Sequence, residues 1–178
     1  MARVGVILSG CGKLDGSEIH EATLTLLHLA ESGLQYECIA PYEDLVVEID
    51  HGTMNPTGAR RNAARESSRI ARTKVRDIRD VKSGDYDALV FPGGLGAASN
   101  LCDWFEKGPD CKVHPQVERI INEYYAAKKP LGFICIAPVL AGAVLGRHGV
   151  ELTIGTDKGT AAKLESLRSE EHTSELQS

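Results

Sequence analysis

Apolar residues along this chain fall into short unbroken runs that alternate with stretches of helical period. Residues 3–9, Arg-Val-Gly-Val-Ile-Leu-Ser, read as a strand buried on both faces and ended by Gly10. Asp15-Gly-Ser-Glu18 reads as a helix start, with Asp15 as N-cap and Glu18 at the third helical position of a capping box. Ile19, Ala22, Leu26, Leu29 and Ala30 continue it at helical spacing, and Gly33 ends it. Residues 36–40 form a second strand closed by Pro41, so the first forty residues make one strand–helix–strand crossover, right-handed by rule. Further on, the pattern predicts a short strand at 45–50, a turn-rich stretch at 52–58 and a helix at 62–71. It then predicts a buried strand at 87–92, an amphipathic helix at 115–129, a strand running up to Cys135, a helix from Pro138 and a strand at 150–154. Strands alternating with helices imply an α/β fold: a mostly parallel sheet with helices on both faces.

In such sheets ligands bind at the C-terminal ends of the strands, where three marked loops fall: 10–18, 93–97 and 135–137. The last organises the chain. In Pro130-Leu-Gly-Phe-Ile-Cys-Ile-Ala-Pro138 a buried strand turns at Cys135 into an apolar helix. Pro138 suits a first helical turn, since its φ fits and its missing N–H would go unpaired there anyway. A cysteine at that turn is either the nucleophile of a strand–elbow–helix, its thiolate favoured by the helix N-terminus, or a small buried hydrophobe. Phe133 and Ala137 depart from the strict small-x-nucleophile-x-small spacing. The gathering of three marked loops on one sheet edge favours the nucleophile. Gly93 and Gly94, directly after a strand, would let backbone N–H groups approach a ligand oxygen.

Composition narrows the function classes. A net charge of −5 argues against a nucleic-acid binder. The longest apolar run, 131–146, is interrupted by Pro138 and falls short of the ~18 residues of a membrane span. No signal peptide precedes Val4, so a cytoplasmic location is expected, or a mitochondrial one if a presequence has been lost. Five cysteines without a C-x-x-C pair suggest free thiols in a reducing compartment, not a disulfide scaffold or zinc site. Eight Lys/Arg between Arg60 and Arg79 form either a solvated helix face or an anion-binding or partner surface. Residues 168–178 have no apolar periodicity and read as a non-native, adapter-like tail, leaving 1–167 as one domain.

Five stretches together carry a family resemblance: residues 5–12 (Gly-Val-Ile-Leu-Ser-Gly-Cys-Gly), 15–21 (Asp-Gly-Ser-Glu-Ile-His-Glu), 91–94 (Phe-Pro-Gly-Gly), 130–138 and 152–157 (Leu-Thr-Ile-Gly-Thr-Asp). They resemble the ElbB-type glyoxalases of the PfpI superfamily, with a class I glutamine amidotransferase-like fold. The resemblance implies a flavodoxin-like three-layer sandwich and a site that needs neither metal nor cofactor. It implies Cys135 as nucleophile, Glu18 as its carboxylate partner, and the N–H groups of Gly94 and Ile136 as oxyanion hole. His20, Gly93 and Asp157 would line the site. The implied substrate is a small 2-oxoaldehyde, glyoxal or methylglyoxal, converted to glycolate or lactate through a cysteine hemithioacetal; neither nucleic acid nor membrane is an expected partner, and a homodimer stays open. Family members continue beyond this chain with closing strands and a final helix, so the resemblance also implies a C-terminal truncation that would leave the helix at 139–145 bare.

The residues leave alternatives. Glu18 and His20 are each readable as simple helix-start residues, and His148 as structural. A glutamine amidotransferase-like subunit is opposed by Ile136 directly after Cys135, where relatives place a histidine, and by the lack of a downstream His–Glu pair. A non-catalytic redox-sensing thiol protein on the same fold is the third class.

Overall fold

A computed structural model describes residues 1–167; the tail set apart at 168–178 lies outside the described residues. In chain order the elements are β1 (Arg3–Ile7), α1 (Ile19–Glu31), β2 (Gln35–Ala40), β3 (Ile49–Asp50), β4 (Asn55–Pro56) and α2 (Ala63–Ala71). There follow β5 (Arg76–Asp77), β6 (Ala88–Phe91), α3 (Trp104–Lys107), α4 (Pro115–Ala126), β7 (Leu131–Phe133), α5 (Pro138–Leu145) and α6 (Lys158–Ser166). Five strands pair in the order β5-β2-β1-β6-β7, every neighbouring pair parallel. This is the expected flavodoxin-like α/β sandwich.

Alternation along the strands sorts the core into two layers. Val4, Val6 and Leu8 point to one face, against Ala22 and Leu26 of α1 and Ala64 of α2. Ile7, Ile39, Leu89 and Phe91 point to the other, against α4 and α5. The four inward residues read from the α4 pattern (Val117, Ile120, Ile121 and Tyr124) are all fully buried there. At the N-terminal end of the sheet Tyr86 donates to Glu37 at 2.5 Å, and Arg76 reaches both Tyr86 and Asp85. Burial there pushes the Tyr86 phenol well above its ordinary range. The basic stretch after Arg60 is largely ion-paired internally: Arg61 to Asp15, Glu48 and Glu66, Arg69 to Glu66, Arg79 to Asp77.

Four expectations change. The strand at 45–50 shrinks to β3, paired only with β4 in a two-residue antiparallel hairpin. Residues 150–154 form no strand; Val150 and Ile154 pack half-buried against the α5 side of the core, while Leu152 between them stays exposed. An apolar alternating run specifies burial, but a strand also needs a neighbouring backbone to pair with. The first helix starts three residues later than the capping box implied, with Glu18 itself as N-cap. Asp15 is drawn away from capping because its buried carboxylate accepts from Ile49 N–H at 2.9 Å and from Arg61. Finally, α5 is not left bare. Val139 and Leu140 are fully buried, and α6 lies so close that a Cβ on Gly142 would come within 2.6 Å of Leu164. A glycine inside a helix costs ~1 kcal/mol relative to alanine; here it makes room for a second helix. Apolar side chains that stay exposed include Ile19, Leu24 and Leu27 on α1, Val46 and Met54 around the β3–β4 hairpin, and Phe105 on α3.

Leu164 therefore tests the α5–α6 contact. Leu164→Ala should destabilise the protein by ~2–4 kcal/mol in chemical denaturation. A change within ~0.5 kcal/mol, as for a surface residue, would show that α6 does not cover the elbow helix.

Candidate active site

β7 ends at Phe133, and the chain reverses over the next four residues before α5 begins. Ile134 N–H still bonds Phe91 O at 3.0 Å, and Ala137 N–H closes the turn on Ile134 O at 2.9 Å. Between them Cys135 has φ +58°, in the left-handed region that a side chain seldom occupies. Strain of this kind, order 1–3 kcal/mol, persists where the surroundings over-determine it, and it lifts the sulfur above the sheet edge. Pro138 takes the first helical position, as its fixed φ suggests.

The other half of the site is the start of α1. Glu18 N–H donates to Gly93 O at 2.9 Å, seating the helix N-terminus on the turn after β6. Both glycines of that turn are required by the close approach. A Cβ on Gly93 would stand 2.5 Å from both the Cys135 Cβ and Glu21 Oε2, and one on Gly94, at φ +96°, would collide with the backbone of 16–18. Glu21, in the first turn of α1, is thereby placed against Cys135, with its Oε2 buried and free of any N–H or O–H donor among the described residues.

Three interactions meet at the sulfur. The Glu21 carboxylate lies beside the Cys135 thiol across Gly93, and the N–H groups of Gly94 and Ile136 both point at the sulfur. Partial burial, then the Glu21 acceptor and its charge, push the thiol up, and the two N–H groups offset this only in part. The net direction is upward, so the helix N-terminus does not by itself make Cys135 a thiolate at rest. Desolvation and an adjacent carboxylate outweigh two neutral donors.

The residues singled out in the sequence fall into two groups. Gly93, Gly94 and Ile136 stand with Cys135. Glu18, His20 and Asp157 do not. Glu18 Oε2 caps α1 by accepting Glu21 N–H at 2.8 Å, and its Oε1 accepts from His20 Nδ1 at 3.1 Å. Desolvation raises the Glu18 carboxyl, but the Glu21 N–H and the His20 ring outweigh it and hold it below its ordinary value. The His20 side chain is 89% exposed. Asp157 caps α6 through Gly159 and Thr160 N–H. His148 stacks on Tyr125, as a structural residue would. Glu21 is the residue that sequence reading missed. Its signal was present in Glu18-Ile-His-Glu21, two carboxylates three apart, where the choice between them depends on which residue caps the helix.

An apolar groove leads from Glu21 along α1 past Leu24, Thr25 and Leu29, with Ile134 as its far wall. A second cavity, between α5, α6 and 150–155, contains neither Cys135 nor Glu21. Among the described residues no cluster of three His, Cys, Asp or Glu could hold a metal ion, and no helix is long and apolar enough to cross a membrane.

No family model matches the chain. It is 46% identical over 163 residues to the human glutamine amidotransferase-like class 1 domain-containing protein 3, mitochondrial, covering 91% of this chain and 60% of that protein. The rat ES1 protein homolog, mitochondrial, is 45% identical over the same length, so the chain spans 60% of the curated relatives it matches. Among solved structures, an isoprenoid biosynthesis protein with amidotransferase-like domain from Ehrlichia chaffeensis is 39% identical with a TM-score of 0.78, over 81% of this chain and 68% of that one. A DJ-1 superfamily protein from Agrobacterium tumefaciens, 18% identical with a TM-score of 0.53 over 97% of this chain and 73% of that one, shares the fold. Identity of this extent to an amidotransferase-like protein, across two thirds of its length, places the chain in the class I glutamine amidotransferase-like family, on the fold it shares with DJ-1 superfamily proteins.

Proposed function

We propose that the protein is a cofactor-independent glyoxalase-like lyase that converts a small 2-oxoaldehyde to the corresponding 2-hydroxy acid. The observation that carries this reading is the buried Glu21 oxygen, bare of N–H and O–H donors, beside the Cys135 thiol. An unpaired buried carboxylate oxygen is costly, and a nucleophile beside it gives it a use. Cys135 is then a resting thiol with a base beside it. As sulfur adds to the aldehyde carbon, its proton passes to Glu21, and the Gly94 and Ile136 N–H groups receive the alkoxide. Protonation of that alkoxide gives the hemithioacetal.

The internal redox step follows. Glu21 removes the proton from the carbon bonded to sulfur, giving an enediol. It returns that proton to the neighbouring carbon, leaving a 2-hydroxy thioester. Water attacks the thioester, the C–S bond breaks, and sulfur leaves with a proton as the thiol. From glyoxal the sum is glyoxal plus water to glycolic acid. Glu18 is held ionised by its cap and serves only to seat Glu21.

Histidine placement favours this over a glutaminase reading. Each of His20, His28, His51 and His114 bonds a residue elsewhere, and His148 stacks on Tyr125. Among the described residues no imidazole stands on Cys135, so the base available is a carboxylate. The mitochondrial names of the human and rat relatives bring a mitochondrial setting into the proposal beside the cytoplasmic one.

The assay is incubation with glyoxal and measurement of glycolate. Cys135→Ser should abolish turnover while the protein stays folded. Glu21→Gln should lower kcat by ~10²–10⁴-fold, as for loss of a general base. Glu18→Gln, which keeps an oxygen to cap α1, should stay within about tenfold of wild type, on the same scale. Equal losses in the Glu18 and Glu21 variants would overturn the assignment; no glycolate from wild type, with glutamine hydrolysed instead, would overturn the activity.

The thiol itself gives a second check. The rate of Cys135 alkylation by iodoacetamide should rise with pH to a midpoint above the usual ~8.5 of a free cysteine. The Glu21 carboxylate raises the thiol because it favours the protonated sulfur and repels S⁻. Glu21→Gln should therefore lower the midpoint and speed alkylation at neutral pH. An unchanged or higher midpoint would show that Glu21 does not face the sulfur.

A further inference from the structure

A second pair of reactive groups lies outside this site, on the loop between β6 and α4. Asp103 N–H donates to Lys112 O at 3.2 Å, and His114 N–H to Leu101 O at 2.9 Å. The segments 101–103 and 112–114 are thus zipped antiparallel, with Cys102 opposite Val113. Side chains alternate along extended backbone, and residues opposite each other share a face. Cys111, at φ −64° and ψ 150°, is extended and two residues before Val113, so it projects on the same face as Cys102. Cys111 accordingly packs on the buried cluster that holds Cys102, and each thiol is the strongest influence on the other. Cys102 is buried and donates its S–H to Ala97 O at 3.6 Å; Cys111 is only half-buried. Its neighbour Cys102 holds the Cys111 thiol below its ordinary value, while Cys111, together with burial, holds the Cys102 proton in place.

We infer that Cys102 and Cys111 are a redox modification site that closes to a reversible disulfide when the protein meets a peroxide. The asymmetry assigns the order of events. Cys111, the more accessible of the two and the readier to ionise, attacks a peroxide oxygen. The O–O bond breaks, Cys111 becomes a sulfenic acid, and the other oxygen leaves with a proton as water. The Cys102 sulfur then attacks the Cys111 sulfur. An S–S bond forms, the S–O bond breaks, and the hydroxide leaves as water with the Cys102 proton. Two thiols lose two electrons and one hydrogen peroxide becomes two waters. Closure brings the two sulfurs to ~2.05 Å of one another. Dithiol reductants reverse the step by exchange. This pair does not depend on the glyoxalase reading, since neither sulfur touches Cys135 or Glu21 among the contacts described.

The test is peroxide treatment of the full chain, alkylation of remaining thiols, tryptic digestion and mass spectrometry. Trypsin cuts after Lys107 and Lys112, so peptide 108–112 should stay joined to the Cys102 peptide, two hydrogens lighter, until dithiothreitol releases it. The link should form equally in wild type and Cys135→Ser, and be absent from Cys102→Ser and Cys111→Ser. Cys111→Ser should also leave Cys102 alkylatable after peroxide, because the attacking thiol is gone. Three results would overturn the inference: no link in excess peroxide, Cys111 carried to sulfinic acid with Cys102 still free, or either cysteine joined to another thiol or another chain.

Discussion

The candidate site depends on one backbone hydrogen bond, from Glu18 N–H to Gly93 O. It fastens the first turn of α1 to the loop after β6, and everything the site uses is placed relative to that join. A helix N-terminus has free N–H groups that must be satisfied. Here one group just ahead of the helix is given to a neighbouring strand's loop, and another three residues on, that of Glu21, to the Glu18 side chain. Held in this way, the helix presents Glu21 to the sulfur without spending its carboxylate on capping. Gly93 and Gly94 follow from the same constraint, since a Cβ at either would push the helix off the loop.

Against this seat stands the elbow, which fixes the sulfur from the other side. Cys135 is held in a left-handed conformation by the bonds of Ile134 and Ala137 on either side of it. The electrostatic outcome is a contest. Two N–H groups and the start of α5 favour the thiolate; burial and the Glu21 charge favour the thiol, and they win. The site is therefore arranged as a nucleophile with its base beside it, and ionisation is deferred until an electrophile is present. The Cys102–Cys111 pair is the reverse case. There the neighbour is a neutral thiol, and the more exposed of the two sulfurs is the easier to ionise.

Much of the architecture was legible because it rests on local pattern. Apolar runs ended by glycine or proline marked β1, β2 and β6, the run up to Cys135 marked β7, and the 3.6-residue period marked α1 and α4 down to which residues face inward. Cys135, Gly93, Gly94 and Ile136 were legible because the elbow and the glycine turn are contiguous in sequence and sit at the ends of predicted strands. The strand at 150–154 misled for the opposite reason. Its pattern is met only in part, by Val150 and Ile154 half-buried against the α5 side of the core, with no neighbouring backbone to pair with.

What the sequence by itself determined is the alternation of buried strands and amphipathic helices, and with it a parallel sheet whose C-terminal edge carries a cysteine elbow. The tertiary structure decided which carboxylate meets that cysteine. Asp15 looked like a cap, but a long-range pairing with Arg61 and Ile49 N–H took its carboxylate. The helix start moved by three residues, nearly one turn at 3.6 residues per turn, and Glu21 came to occupy the place that Glu18 was expected to hold. No local pattern could reveal that shift, because the partner that claims Asp15 lies 46 residues away along the chain.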